Sequence, residues 1–310
     1  MKYGLFDWVD RNRGSVAELY AERLRIVEAA DEAGFHCYHL AEHHGTPLGM
    51  AASPAVFLAA AAARTRRIRL GPLVFLLPLY EPLRLAEEIC MLDNLSGGRL
   101  ELGVGRGVSP YELGCFGVDP ATTRGAFDEA LAIIVAAMTS ERLTFEGERH
   151  RYRDVPIEIR PVQRPYPPLW YPTHNPASIE YAARHGFHFV GLGSAPMLKQ
   201  QYEVYLQAWT KHRDEPGRLN GHVAEPFLGS LRHVLVAPTD DEAWALARPA
   251  YDAWYRSIVK LWNDHDDHSY DVLFSWEAAV NGKILLCGSP ATVRDQVARL
   301  ADESGCNYMI

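Results

Sequence analysis

Ile68-Arg69-Leu70-Gly71-Pro72-Leu73-Val74-Phe75-Leu76-Leu77 is an almost unbroken apolar run, and its surroundings decide what it can be. Residues 82–95 have the pattern of a helix, and 99–104 read as a second apolar strand. A strand with one wet face alternates polar and apolar residues. A continuous apolar strand between helices belongs to a parallel sheet covered on both faces. Upstream, residues 2–9 and 35–41 read as strands around a helix at 15–33, which opens with Ser15 and Glu18 at capping-box spacing and closes at Gly34. An Ala-rich helix is expected at 53–64. Downstream, a helix at about 121–139 precedes strands at 168–172, 187–192 and 231–237, with helices at 176–185, at 197–212 and from near Thr239. A last helix follows Gly288-Ser289-Pro290, and residues 306–310 complete the count as the eighth strand. About eight strands, each but the last followed by a helix, predict an α/β fold, a (β/α)8 TIM barrel with its functional groups at the C-terminal ends of the strands.

Two stretches break the rhythm. Residues 142–167 carry five prolines from Pro156 to Pro168 and read as a hairpin followed by an extended loop, an insertion on one face. Residues 255–283 hold the polar run Asn263 to His268 with Trp254, Tyr255, Trp262, Tyr270, Phe274 and Trp276 around it, which fits a mobile lid that keeps water from a pocket. Neither interruption resembles a linker, so residues 1–310 are expected to form one domain. The sequence stops on the expected eighth strand without a helix to cover it, so either the terminus is expected to be trimmed or a neighbouring molecule to cover that face.

With 48% hydrophobic residues and a net charge of −8, the chain is ordinary globular material without the basic surplus that nucleic acid or an anionic membrane demands. Its five cysteines form no C-x-x-C pair, and the N-terminus, with acidic residues at 7 and 10, is no signal peptide. The longest apolar stretch, around 51–63, is too short to span a bilayer. A soluble, cytoplasmic protein is expected.

Three motifs could carry chemistry. Glu42-His43-His44 stands at a strand end, where adjacent side chains point to opposite faces. These are ordinary loop histidines or, at a barrel mouth, acid–base groups that work near neutral pH. A zinc site is not expected, because His36, His39 and His43 lack a matching set converging from other strands. Gly103-Val104-Gly105-Arg106-Gly107 fails as a dinucleotide loop, since Val108 occupies the last glycine position and Ser109-Pro110 follows where a helix would start. Small residues there would let a flat ring approach, with the planar fork of Arg106 on a phosphate. Thr173 to Ser178 reads as a helix cap, an anion site, or both. The run His265 to His268 reads as a solvated loop, not a metal site.

Four segments together resemble the luciferase-like flavin monooxygenases. They are Leu40-Ala41-Glu42-His43-His44; Arg67 to Gly71 continuing through Leu77-Pro78-Leu79-Tyr80 and Pro82 to Glu88 into Leu92 to Leu100; Leu102 to Gly107 with Phe116-Gly117; and Arg160-Pro161-Val162-Gln163 with Pro167 to Trp170 and Ser178. The resemblance implies a bacterial-luciferase type barrel with insertions at its C-terminal face. It implies reduced FMN (FMNH2) supplied by a separate flavin reductase, reaction with O2, and oxygenation of a small organic substrate such as an aldehyde, a ketone or a related carbon or nitrogen centre. It makes His43 the catalytic residue, as base or hydrogen-bond donor, supported by Glu42 and His44. It places Arg106 on the flavin phosphate, Gly105 near the reactive ring edge, and His174, Asn175 and Ser178 at the phosphate-binding helix start. Glu112 matches an acidic position near the flavin, while Trp8, Phe75 and Tyr111 would shape the substrate pocket. Bacterial luciferase carries cysteine where this chain has Gly105, so light emission is not expected. A homodimer and a non-proline cis peptide between Val74 and Leu77 complete the expectations. A deazaflavin-dependent hydride-transfer enzyme of the same superfamily and a non-catalytic flavin-binding protein are the competing readings.

Overall fold

The computed structural model describes residues 1–173 and 175–310. Strand β1 (Lys2–Asp7) leads to helix α1 (Val16–Ala33). Ser15 Oγ accepts the Glu18 N–H at 3.2 Å, the Glu18 carboxylate accepts the Ser15 N–H at 2.9 Å, and left-handed Gly34 ends the helix. There follow β2 (Cys37–Leu40), α2 (Pro54–Arg64), β3 (Arg69–Pro72), β4 (Phe75–Leu76), α3 (Pro82–Ser96), β5 (Leu102–Gly105), α4 (Pro110–Cys115) and α5 (Thr123–Thr139). An antiparallel hairpin, β6 (Arg142–Glu146) and β7 (Arg151–Pro156), precedes β8 (Leu169–Pro172), α6 (Pro176–His185), β9 (His188–Gly191) and α7 (Ala195–His212). The chain continues through β10 (Leu228–Ser230), β11 (His233–Val236), α8 (Asp240–Ile258), α9 (Lys260–Asp264), α10 (Trp276–Asn281), β12 (Leu285–Gly288), α11 (Pro290–Ser304) and β13 (Tyr308–Met309).

The principal sheet has the hydrogen-bonded order β3-β2-β1-β13-β10-β9-β8-β5-β4. It begins and ends on the same run of chain, because β3 and β4 are the two halves of the apolar stretch 68–77. β3 pairs in parallel with β2 and β4 with β5, which gives the strand ring of a (β/α)8 barrel. The hydropathy pattern predicts one strand there, but the chain changes partner at Leu73-Val74, a non-proline cis peptide one residue before the expected window.

The chain packs as two compact units. The first comprises Leu5–Gly45 and Gly49–Trp170. Its core holds Leu40, Leu58, Phe75, Ile89, Leu102, Val104, Phe127, Ile133 and Ile134, all fully buried. Two polar ties stitch the joints between helices and strands. The Asp31 carboxylate accepts the backbone N–H groups of Arg66, Arg67 and Ile68. The Arg99 guanidinium donates to the carbonyls of Ser96, Ala62, Thr65 and Ile68 and to Thr65 Oγ1, at 2.7–3.1 Å. The turn of the hairpin is held to α5 by Glu129, which accepts N–H groups of Glu148, Arg149 and His150.

The second unit comprises Met1–Gly4, Thr46–Leu48 and Tyr171–Ile310. Phe189 of β9 stacks on Tyr205 of α7, which stacks in turn on Trp209. One expectation is corrected here. The barrel strand predicted at 231–237 is β10 at 228–230, while β11 pairs in parallel with β12 as a separate two-stranded sheet. The β-branched run of β11 carries the stronger strand signal, although the barrel position belongs to the short Leu228-Gly229-Ser230. Residues 255–283, read as a lid insertion, hold the end of one helix and two short ones. α8 runs on to Ile258 with Pro249 inside it, and α9 and α10 occupy much of the remainder. The aromatic residues read as lid material pack on each other, Trp254 against Phe274 and Tyr270 against Phe274. No helix among the described residues is long and apolar enough to cross a membrane.

Arg99→Met keeps most of the apolar stem but leaves the carbonyls of Ala62, Thr65, Ile68 and Ser96 without this donor. We expect a loss of about 2–3 kcal/mol of unfolding free energy in urea denaturation.

Candidate active site

The site begins where β2 ends. Buried Glu42 accepts the Leu76 N–H at 3.0 Å with one oxygen and lies 2.9 Å from His44 Nε2 with the other. The Tyr80 hydroxyl also bonds to it, and burial together with this carboxylate pushes the phenol well above its usual range. Glu42 is therefore fully engaged. His43 turns the other way, as the alternation of neighbouring residues requires. Its Nδ1 lies 3.0 Å from Glu112 Oε1, while the His44 backbone N–H donates to Glu112 Oε2 at 3.1 Å. Gly49 lies so close to this turn that a Cβ there would meet the His43 carbonyl oxygen at 2.1 Å. The His43 side chain is 18% exposed and that of Glu112 only 4%. The nearby His39 is unsuited to proton transfer at neutral pH, because complete burial pulls its imidazole down to about 3.

Glu112 belongs to α4, which the Ser109-Pro110 sequence was expected to exclude. The structure corrects that expectation: Ser109 is the N-cap, its Oγ accepting the Glu112 N–H at 3.2 Å, and Pro110 occupies the first turn. Proline lacks the N–H that a first helical residue leaves unused, so it starts this helix instead of preventing it. Ser109 to Glu112 has the spacing of a capping box, so the signal was present. Here, however, the glutamate carboxylate turns to the two histidines. A small hollow of about 20 Å³ opens between the two segments, lined by Glu42, His43, Leu76, Val108, Ser109 and Glu112 among others.

The other candidates divide into groups. Arg106 follows β5, is half-buried, and has no ion-pair partner among the described residues. Gly105 was expected to make room for a flat ring. Instead, the side chain of Val74 fills that space, its Cγ2 lying 2.4 Å from where a Cβ of residue 105 would be. Phe75 is fully buried and packs edge-on against Tyr80, so its ring is core. Tyr111 is half-buried on α4, and Trp8 packs edge-on against Phe6 just after β1. In the second unit, Asn175 caps α6, its Oδ1 accepting the N–H groups of Ala177 and Ser178 at 3.0 and 3.4 Å, and Ser178 is buried. His174 lies outside the described residues.

Acid–base groups gathered after the C-terminal ends of parallel barrel strands define a barrel enzyme. The family model described as luciferase-like monooxygenase matches residues 1–307, and the chain belongs to that family. It is 39% identical to the uncharacterized protein y4wF of Sinorhizobium fredii, over 100% of this chain and 89% of that protein. Limonene 1,2-monooxygenase of Rhodococcus erythropolis is 32% identical over 91% of this chain and 72% of the relative. Among solved structures, one match is the oxygenating constituent of 3,6-diketocamphane monooxygenase from Pseudomonas putida, a type II Baeyer-Villiger monooxygenase in complex with FMN. It has a TM-score of 0.79 at 24% identity over 100% of this chain and 90% of that one, a likeness of fold.

Introducing the cysteine that bacterial luciferase carries tests the packing over residue 105. Gly105→Cys should cost about 1–3 kcal/mol of stability, because the branched Val74 cannot swing clear. Adding Val74→Ala should recover most of that loss, a non-additivity readable from a double-mutant cycle in urea.

Proposed function

We propose that this protein is the oxygenase component of a two-component system, accepting reduced FMN from a separate reductase and using O2 to oxygenate a small ketone, aldehyde or related centre. The observation that carries the reading is the His43–Glu112 pair opening on a hollow just after β2. One oxygen atom enters the substrate, the other leaves as water, and the flavin is reoxidised. Bound flavin supplies the electrons and the oxygen-activating chemistry. The protein supplies position, a dry surface and a place for a proton. His43 Nε2 takes or holds that proton beside the reacting centre. Buried Leu76 and Leu113, with exposed Val108 at the rim, give the hollow an apolar lining.

Arg106 fits the phosphate of FMN: it is a half-buried guanidinium that no carboxylate among the described residues has claimed. The FMN complex and the name of the diketocamphane oxygenating constituent support the cofactor and the separate reductase. A single family model running over residues 1–307 supports reading the chain as one functional domain.

The deciding assay supplies photoreduced FMN, ¹⁸O2 and a panel of small ketones, aldehydes and cyclic alkenes, with products read by mass spectrometry. Incorporation of one labelled atom is expected. Release of hydrogen peroxide alone across the panel, or oxidation of a reduced deazaflavin without oxygen uptake, would point to the competing readings. In the same assay His43→Ala should still bind FMN and lose about a hundredfold or more in product formation.

Arg106→Ala should weaken FMN binding about ten- to a hundredfold and leave riboflavin binding nearly unchanged, as read by fluorescence titration. Equal losses for both ligands would show that Arg106 does not read the phosphate.

A further inference from the structure

We infer that Glu112 is a positioning residue that keeps the ring proton of His43 on Nδ1 and so holds Nε2 ready as the base; this rests on the oxygenase reading for its chemical consequence, not for its geometry. The argument begins with what each partner can offer. An ionised carboxylate only accepts hydrogen bonds, and a backbone N–H only donates them. Glu112 Oε2 is held by the His44 backbone N–H at 3.1 Å, and Oε1 faces His43 Nδ1 at 3.0 Å. With one oxygen pinned by a donor that cannot reverse, the other presents an acceptor to the imidazole. His43 must then place its hydrogen on Nδ1, which leaves the lone pair on Nε2.

The carboxylate is well fixed for this purpose. Its side chain is only 4% exposed, and its own N–H is tied to Ser109 Oγ. Glu42 cannot take the role, because its oxygens are spent on Leu76, His44 and Tyr80. When a proton reaches Nε2, the buried carboxylate also faces the resulting imidazolium and stabilises it, as acidic partners of catalytic histidines do.

Glu112→Gln turns this geometry into a sharp test. A carboxamide has one acceptor and one donor end. The His44 N–H admits only the carbonyl oxygen, so the NH2 group must face His43 Nδ1. That nitrogen has to accept, and the ring hydrogen moves to Nε2. Both hydrogen bonds survive, the shape is unchanged, and the base has become a donor. Glu112→Ala leaves the ring free to adopt either form, and Glu112→Asp keeps an acceptor-only group.

We therefore expect Glu112→Gln to lose about a hundredfold or more in kcat with KM and FMN affinity nearly unchanged. Glu112→Ala should lose only about tenfold, and Glu112→Asp should be more active than Glu112→Gln. A purely structural role predicts the opposite order for Gln and Ala, since only alanine leaves the His44 N–H unpaired. If the alanine variant does not fold, the comparison of Asp with Gln carries the test. ¹⁵N NMR of His43 in the flavin-free protein decides the tautomer independently of activity, so the inference stands or falls even if no oxygenation is found. A wild-type ring protonated on Nε2, or a Glu112→Gln variant as active as Glu112→Asp or Glu112→Ala, would overturn it.

Discussion

A buried carboxylate without partners is among the most unfavourable groups a fold can contain, and Glu42 is the point around which the first unit resolves that problem. Its oxygens take the Leu76 N–H, the His44 ring and the Tyr80 hydroxyl, so the turn after β2 and the stretch from β4 to Tyr80 are brought to one place. Leu76 lies on β4, the short piece left when the apolar run breaks after β3. Anchoring that piece helps place it against β5, as the barrel register requires. With His44 drawn to Glu42, the alternation of neighbouring side chains turns His43 the other way, toward Glu112. A polar constraint at the end of one strand thus orients the imidazole to which the proposed function gives the proton.

The broken strand has a second effect. Val74, just beyond the break, covers Gly105, and the absence of a side chain at 105 leaves room for this contact. The glycine therefore answers to packing on its strand neighbour. Shape at this end of β5 is set jointly by a residue on the β3–β4 turn and one on β5, so neither can be read alone.

Much of the fold was legible in the sequence wherever a local signal decided it. The Ser15–Glu18 box and Gly34 mark the two ends of a helix that the structure has in place. Illegible were the features that depend on partners far along the chain. Hydropathy sees one strand over 68–77 because both halves are buried, and it carries no trace of the change in hydrogen-bond partner. β10 is three residues, one of them glycine, so the β-branched strand beside it drew the assignment. At the site, His43 and Arg106 were marked by their places at strand ends. The pairing of His43 with Glu112 spans 69 residues and could not be found from spacing. Its one local hint, the Ser109 to Glu112 spacing, was obscured by a proline taken as a helix breaker.

Six residues make α4 too short to persist by itself, since a helix of this length hardly repays its nucleation. Its capping serine satisfies one end, and Glu112 fastens it to the turn after β2. The dependence is mutual: the short helix holds the carboxylate at the imidazole, and the two histidines hold the short helix in the fold. Catalytic geometry and local folding are then a single cooperative event. On the proposed function, exposed Val108 and half-buried Tyr111 can vary in size only within sequences that still return an acceptor to residue 112. Substrate range in such a scaffold can drift while its acid–base apparatus is kept in place by the requirement that this loop fold at all.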